Sequence, residues 1–243
     1  MDVAAATEQG VAVCIAPDTN QDAVAEHTFC LILALVKHLV PQHAGTVAGQ
    51  WPRQANLPLR GRTLGIAGLG RIGKAVAIRG AAFKMPLLAY EPYPDPAFVR
   101  QYNVTLVPVE RLLAESDFLS LHLPLTPASR HLINKATLGR MKPTAFLVNT
   151  ARGGLVCEAD LYEALRSGRL AGAALDVFEE EPPGASPLLG MDNVVVTPHA
   201  AGVDVQSRDD MALSAAQAIL WLLRGEWPAE KVVNPEVRAR FKW

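Results

Sequence analysis

The sequence predicts an α/β fold built on a doubly wound parallel sheet, and three observations carry that prediction. Short, near-continuous apolar runs recur through the middle of the 243-residue chain, separated by helix-like segments. That alternation is the pattern of parallel strands covered on both faces. A glycine-rich turn, Gly68-Leu69-Gly70-Arg71-Ile72-Gly73, joins the first such run to the helix that follows it. Half of the residues are hydrophobic and only 19% are charged, enough apolar side chain for a sizeable core.

Taken in order, Ala23 to Val40 reads as one long helix, apolar nearly all round at Phe29, Leu31, Ile32, Leu33, Leu35 and Val36. A helix apolar on every side is buried on every side. It is therefore either a core helix of its own subunit or a helix shared between two subunits. Strands are expected at Thr63 to Gly68, Pro86 to Glu91, Phe118 to Leu123, Ala145 to Thr150, Ala171 to Val177 and Val194 to Thr197. Helices are expected between them at Ile72 to Phe83, Val109 to Ser116, Lys135 to Met141 and Glu158 to Ser167. Gln206 to Leu223 reads as a terminal helix, and the chain after Gly225 as irregular.

Composition narrows the function. Lys plus Arg (23) nearly balances Asp plus Glu (24), so no basic field is available for nucleic acid or an anionic membrane. The longest apolar run, Phe29 to Val36, is far too short to cross a bilayer. Met1-Asp2-Val3-Ala4 opens without the basic and apolar regions of a secretory signal. Cys14, Cys30 and Cys157 are widely spaced and odd in number, which suggests reduced thiols. No Cys-x-x-Cys or His-x-x-x-His spacing suggests a metal. A cytoplasmic protein is expected.

The glycine turn is the first functional signal. Gly-x-Gly-x-x-Gly alone is weak, but here it follows a strand and opens a helix, and a second strand ends in an acid, Glu91, 18 residues after Gly73. In that context Gly68 allows the tight turn, Gly70 lets the backbone approach a pyrophosphate, and Gly73 lets helix and strand pack closely. Arg71 and Ile72 begin the helix, whose free N–H groups favour an anion, and Arg71 adds a cation there. Glu91 suits the ribose hydroxyls of an adenosine and would repel a 2′-phosphate, so NAD is favoured over NADP. This is a Rossmann-like dinucleotide site.

Three more residues stand at the C-terminal ends of later strands, where open α/β sheets bind ligands. Arg152 lies in Asn149-Thr150-Ala151-Arg152-Gly153-Gly154, Glu181 in Asp176-Val177-Phe178-Glu179-Glu180-Glu181-Pro182, and His199 in Thr197-Pro198-His199-Ala200-Ala201-Gly202. Singly, each reads as a surface ion pair or a structural histidine. Together, at one sheet edge beside a nucleotide site, they shift the balance toward a functional reading.

At these residues the chain resembles the D-isomer-specific 2-hydroxyacid dehydrogenases. The resemblance runs almost end to end, through Val24-Ala25-Glu26-His27, the glycine turn, Leu121-His122-Leu123-Pro124-Leu125-Thr126, and the segments around Arg152, Glu181 and His199. It implies that Arg152 holds a 2-keto acid, that His199 exchanges a proton with the substrate oxygen, and that Glu181 orients and charges the imidazole. It also implies that Asp176 meets the nicotinamide carboxamide, with Thr150 and Ala151 lining that pocket and His199 and Gly202 beside the cofactor. His122 and Pro124 would line the adenosine end. Glu179 and Glu180 are expected to be solvated. Formate-oxidising relatives carry glutamine where this chain has Glu181, which argues against formate.

The resemblance implies three parts: residues 1–19 as a remnant of a flavodoxin-like substrate domain, 20–203 as the NAD-binding domain, and 204–243 as a helix and tail returning to the substrate domain. It implies a small 2-hydroxy or 2-keto acid as substrate and a homodimer formed through the helix around 23–40. Two other readings fit the same motifs: an NAD-responsive sensor or scaffold, and a cofactor domain without turnover.

Overall fold

The computed structural model describes residues 1–241. Two compact units are present: residues 22–202, and residues 1–21 together with the chain from 203 onward.

The larger unit opens with α2 (Gln21–Val36) and α3 (Leu39–Val47), which follow α1 (Val3–Glu8) of the smaller unit. Then come β1 (Leu64–Ala67), α4 (Arg71–Ala82), β2 (Leu87–Tyr90), α5 (Pro96–Gln101), β3 (Thr105–Leu106), α6 (Val109–Glu115) and β4 (Phe118–Leu121). The second half holds α7 (Lys135–Leu138), β5 (Phe146–Asn149), α8 (Glu158–Arg166), β6 (Gly172–Leu175) and β7 (Val194–Val196). The seven strands form one sheet in the order β3-β2-β1-β4-β5-β6-β7, and every pairing is parallel. All C-terminal strand ends therefore share one edge, with the order reversing between β1 and β4 as in a doubly wound fold.

The strands alternate between two apolar layers, as a period of two requires. Leu64, Ile66, Phe118, Val148 and Ala174 join one layer with Phe29 and Ile32 of α2 and Val76 of α4. Leu119, Leu121, Leu147, Ala173 and Leu175 join the other with Leu112, Leu138 and Leu161 of α6, α7 and α8. Burial on both faces is why these strands read as unbroken apolar runs.

The single helix expected over 23–40 is two helices, bent by 59°. Its first part lies in its own unit's core, with Phe29, Leu31, Ile32 and Val36 all buried. The break has a local cause. Pro41 has no N–H for the carbonyl of Lys37 and would clash with it in a continuous helix. The Gln42 side chain donates to that carbonyl instead, at 3.0 Å, and His38 turns into the left-handed region, φ 49°. Leu39 and Val40 consequently lie outside the core, both exposed. Among the described residues no single helix is long and apolar enough to cross a membrane.

In the smaller unit, α9 (Val205–Leu223) occupies the expected terminal helix, but the tail is less irregular than expected. Pro235–Ala239 forms a 3-10 turn. The buried Asn234 accepts from the Val13 amide at 2.8 Å and donates to Thr7 Oγ1 at 2.9 Å and the Val11 carbonyl at 3.0 Å. An antiparallel bridge pairs Cys14 with Val232. A buried amide with its donors and acceptor paired gives the tail a defined place.

Candidate active site

The glycine turn lies at the C-terminal end of β1. Gly68 is in the left-handed region, φ 97°, and a Cβ there would stand 2.7 Å from the His122 carbonyl oxygen. A Cβ on Gly73 would stand 2.0 Å from the Gly68 carbonyl, so helix α4 can approach the strand only through glycine. Gly70 is the N-cap of α4, and the space beside its Cα is open to 4 Å. Gly70 thus adds no side chain over the N-terminus of α4, where backbone N–H groups favour an anion. Glu91, one residue beyond β2, accepts from the Leu69 amide at 2.8 Å and the Tyr93 amide at 2.9 Å. Its carboxylate is pinned beside the turn, so the residues present fit an adenine dinucleotide. Arg71 and Ile72 open α4.

Arg152 follows β5 in a loop built by Asn149. The Asn149 carboxamide accepts from the Ala151 amide at 3.1 Å and donates to the Arg152 carbonyl at 2.9 Å. A Cβ on Gly153 would stand 1.8 Å from the Phe178 carbonyl oxygen. The glycine after Arg152 therefore lets its loop lie against the segment that leads to Glu181. Arg152 itself is exposed.

Glu181 and His199 are joined directly, His199 Nδ1 to Glu181 Oε2 at 2.7 Å. The second carboxylate oxygen accepts from the Phe178 amide at 3.1 Å. Burial pushes the Glu181 carboxyl up. The imidazole bond, the Phe178 amide and the charges of His199 and Arg152 outweigh it and hold the carboxyl below the ordinary glutamate range. With Nδ1 committed to Glu181, Nε2 is the ring atom available to a ligand. A cavity of about 390 Å³ opens beside the pair, walled by Phe178, Pro182, Leu189 and Val196.

His199 adopts a left-handed conformation, φ 54°, rare for a residue other than glycine. Asp176 is what holds it there. The Asp176 carbonyl accepts the His199 amide at 2.8 Å. Its carboxylate accepts the Ala200 and Ala201 amides, each at 2.9 Å, and the Thr197 hydroxyl at 2.6 Å. Asp176 has no exposed surface. The nicotinamide contact expected of Asp176 thus finds no accessible carboxylate, because its oxygens are taken by the turn that carries His199. Thr150 is likewise buried, its hydroxyl 3.0 Å from that of Thr28.

His122 lies at the end of β4, next to Gly68. Its Nε2 is 2.8 Å from Ser120 Oγ, while Nδ1 is buried with no hydrogen-bond partner. Desolvation pulls its pKa down to about 3, so the ring is neutral at working pH. Pro124 is exposed in the segment after β4, and Ala151 and Gly202 are partly exposed in the segments that carry Arg152 and His199 respectively. Glu180 is exposed. Glu179 is exposed too, as expected, but its carboxylate also accepts from the Glu158 amide at 3.1 Å and pairs with His131 at 2.5 Å. The acidic run thus contains three different carboxylates, which residue type alone does not distinguish. Thr28, His27 and Thr197 carry no role that the sequence assigns. Their only signals are the Val-Ala-Glu-His segment and the threonine two residues before His199. Among the described residues no group of three or more His, Cys, Asp or Glu is placed to hold a metal.

A doubly wound sheet with a glycine-turn nucleotide cradle and an Arg, Glu and His set along one edge defines a dinucleotide-binding domain. Residues 29–201 match the model of the D-isomer specific 2-hydroxyacid dehydrogenase NAD binding domain, and the chain belongs to that family. It is 44% identical over 237 residues to a D-3-phosphoglycerate dehydrogenase of Methanocaldococcus jannaschii, covering 96% of this chain and 45% of that protein. It is 42% identical over 244 residues to a glyoxylate reductase of Korarchaeum cryptofilum, covering 98% of this chain and 73% of that protein. The solved D-lactate dehydrogenase of Aquifex aeolicus, complexed with NAD and lactic acid, superposes with a TM-score of 0.89 at 31% identity, over 96% of this chain and 76% of that one. The chain thus spans about half the length of the phosphoglycerate dehydrogenase and about three quarters of the other two proteins.

Proposed function

We propose that this chain carries the cofactor and acid–base machinery of an NAD-dependent D-2-hydroxyacid dehydrogenase, acting between a small 2-hydroxy acid and its 2-keto form. The observation that carries the reading is the 2.7 Å Glu181–His199 pair on the same sheet edge as Arg152 and the glycine turn.

The first turn of α4, with Arg71, would hold the pyrophosphate, and Glu91 the adenosine ribose hydroxyls, disfavouring a 2′-phosphate. Bound NAD supplies or takes the hydride at the substrate C2. Arg152 binds the substrate carboxylate and carbonyl through its guanidinium fork and draws charge onto the carbonyl oxygen. His199 delivers a proton from Nε2 to that oxygen in reduction and removes it in oxidation. Glu181 stays ionised and fixes the ring through Nδ1. Thr150 and Ala151 line the nicotinamide side, while His122 and Pro124 stand at the adenosine end. The neutral His122 takes no part in proton transfer.

The relatives' names point to glyoxylate, pyruvate and 3-phosphoglycerate chemistry as the candidates. That residues 1–21 fold with the chain from 203 onward supports assigning 1–19 and 204–243 to the substrate-binding side. Three free thiols support a cytoplasmic location. A homodimer is also proposed, through the exposed apolar side chains beyond the C-terminal end of α2.

The test is NADH oxidation by this chain against glyoxylate, hydroxypyruvate and pyruvate, and NAD reduction with 3-phosphoglycerate, with His199→Ala as control. Turnover that falls by about 10²-fold or more in the control, with NADH binding retained, supports the reading. NADH binding without turnover on any of these acids would instead support a sensor or a bare cofactor module.

A further inference from the structure

Two consecutive side chains of α2 reach the active edge of the sheet. Thr28 donates to the Val24 carbonyl at 2.7 Å, so its oxygen accepts from Thr150, which follows β5. His27 Nε2 lies 3.0 Å from Thr197 Oγ1, which follows β7, and 3.6 Å from Asp176 Oδ1, which follows β6. No step of the proposed chemistry uses His27.

The proton inventory fixes the direction of these bonds. Thr197 has one hydroxyl proton, and at 2.6 Å it goes to the Asp176 carboxylate. The Thr197 oxygen therefore accepts, and the His27 Nε2 carries the donating N–H. Asp176 in turn holds the amides of residues 199, 200 and 201. These bonds sustain the left-handed turn at His199 and set the ring against Glu181. A donor on α2 is thus linked, through one hydroxyl and one carboxylate, to the backbone that aims the acid–base imidazole.

We propose that His27 is a positioning residue for His199, acting through Thr197 and Asp176. The assignment rests on His199 being the acid–base group proposed above. It gives the imidazole at this position a function: it is a rigid donor that reaches two strand ends at once. Leucine at position 27 would leave the Thr197 oxygen without a donor and remove the imidazole N–H that lies 3.6 Å from Asp176 Oδ1. Glutamine would place an amide N–H near the position of Nε2.

The test compares the unaltered chain with His27→Leu, His27→Gln and Thr197→Val. The first readout needs no turnover: the Glu181 carboxyl titration, followed by 13C NMR and assigned with Glu181→Gln. His27→Leu and Thr197→Val should raise its midpoint toward the ordinary glutamate range, as the His199 bond loosens, and His27→Gln should restore it. The second readout is kinetic. Here kcat should fall about tenfold in His27→Leu, with KM and NADH affinity within about twofold, because misplacement of an acid–base group acts on the chemical step. An unchanged Glu181 midpoint in folded His27→Leu overturns the proposal, as does a His27→Gln variant that behaves like leucine. If His27→Leu does not fold, an unchanged midpoint in Thr197→Val overturns it equally. If the unaltered chain turns over no 2-keto acid, the dehydrogenase reading fails, and the Glu181 titration still decides the role of His27.

Discussion

Glu158 and Glu179 exchange hydrogen bonds across the site's outer wall. The Glu158 amide donates to Glu179 Oε2 at 3.1 Å, and the Glu179 amide donates to Glu158 Oε1 at 2.5 Å. Glu158 is the first residue of α8, so the Glu179 carboxylate also caps an otherwise unpaired helix N–H and faces the positive end of the helix dipole. The exchange anchors the segment that ends in Glu181 to a packed helix. One carboxylate of the run is thereby structural, and another, two residues on, holds the imidazole.

Glu179→Ala should therefore destabilise the protein by about 1 kcal/mol through loss of the cap, a fall in Tm of roughly 2–4 °C for a chain of this size. Glu180→Ala, on the exposed neighbour, should stay within about 0.5 kcal/mol. Thermal melts of the two variants check this. Equal effects would mean that the exchange contributes nothing to stability.

Gly153 lets the Arg152 loop approach the Phe178 carbonyl more closely than any side chain would permit. Gly153→Ala forces one of two backbone segments to move, since the new Cβ would stand 1.8 Å from main chain and no rotamer relieves it. A cost of about 1–3 kcal/mol in stability is expected from overpacking of this kind. Because the turn at Gly68 is remote in sequence and lies after β1, NADH binding should change little while turnover falls steeply. Fluorescence titration with NADH beside the turnover assay separates the two, and loss of both together would show that the displacement extends through Ala151 and Thr150 to the nicotinamide side.

How much of the fold and site is legible in the sequence depends on the physics of each signal. The strands of the sheet interior read clearly because burial on both faces demands unbroken apolar runs, as at Phe118–Leu121. The edge strand Thr105–Leu106 is silent in the sequence because two exposed residues carry no such pattern. Arg152, Glu181 and His199 can be picked out because each sits in a distinctive segment at a strand end. Asp176 is legible as a site residue, but its bonding partners are not. Whether a carboxylate faces a ligand or its own backbone depends on a left-handed turn at His199, and no residue type announces that. The helix break at His38 is written in Pro41, at the end of a run whose apolarity masks it.

His122 predicts an acid sensitivity with a defined window. Its folded pKa is pulled down to about 3 from an unfolded value of 6.5 by desolvation. Below 6.5 the unfolded chain binds a proton that the folded chain refuses, so stability is lost as pH falls from 6.5 toward 3. Glu181 is also depressed, but its contribution is present above the unfolded glutamate value and is lost only below it. Between about pH 6.5 and 4.5 the two are therefore separable. Tm should drop across that interval in the wild type and drop less in His122→Asn. Parallel Tm curves for the two proteins would show that His122 does not titrate as its burial requires.

Glu91 should set cofactor choice. Its carboxylate accepts two backbone amides, so its removal loosens the glycine turn as well as removing the proposed ribose contact. Charge-assisted bonds of this kind are worth about 1.5–3 kcal/mol, so Glu91→Ala should weaken NADH binding by roughly tenfold or more. NADPH should be weakened less, since the repulsion of its 2′-phosphate is relieved in the same step. Titration of both cofactors measures the ratio, and an unchanged NADH to NADPH preference would remove Glu91 from the ribose site.

The apolar side chains after α2 predict the assembly. Phe29 and Ile32 are spent inside their own unit, so a subunit contact through this region must use residues beyond the break. Leu39, Val40, Val47 and Trp51 are all exposed there, Trp51 by 77%, and a cluster of that kind marks an interaction surface. Sedimentation at micromolar concentration should give a dimer, and Leu39→Glu with Val40→Glu should give a folded monomer. Phe29→Ala, by contrast, should cost about 3–5 kcal/mol in stability as a core truncation. A monomeric wild type would remove the dimer proposal. A double variant that unfolds would show these side chains to be core of the subunit itself.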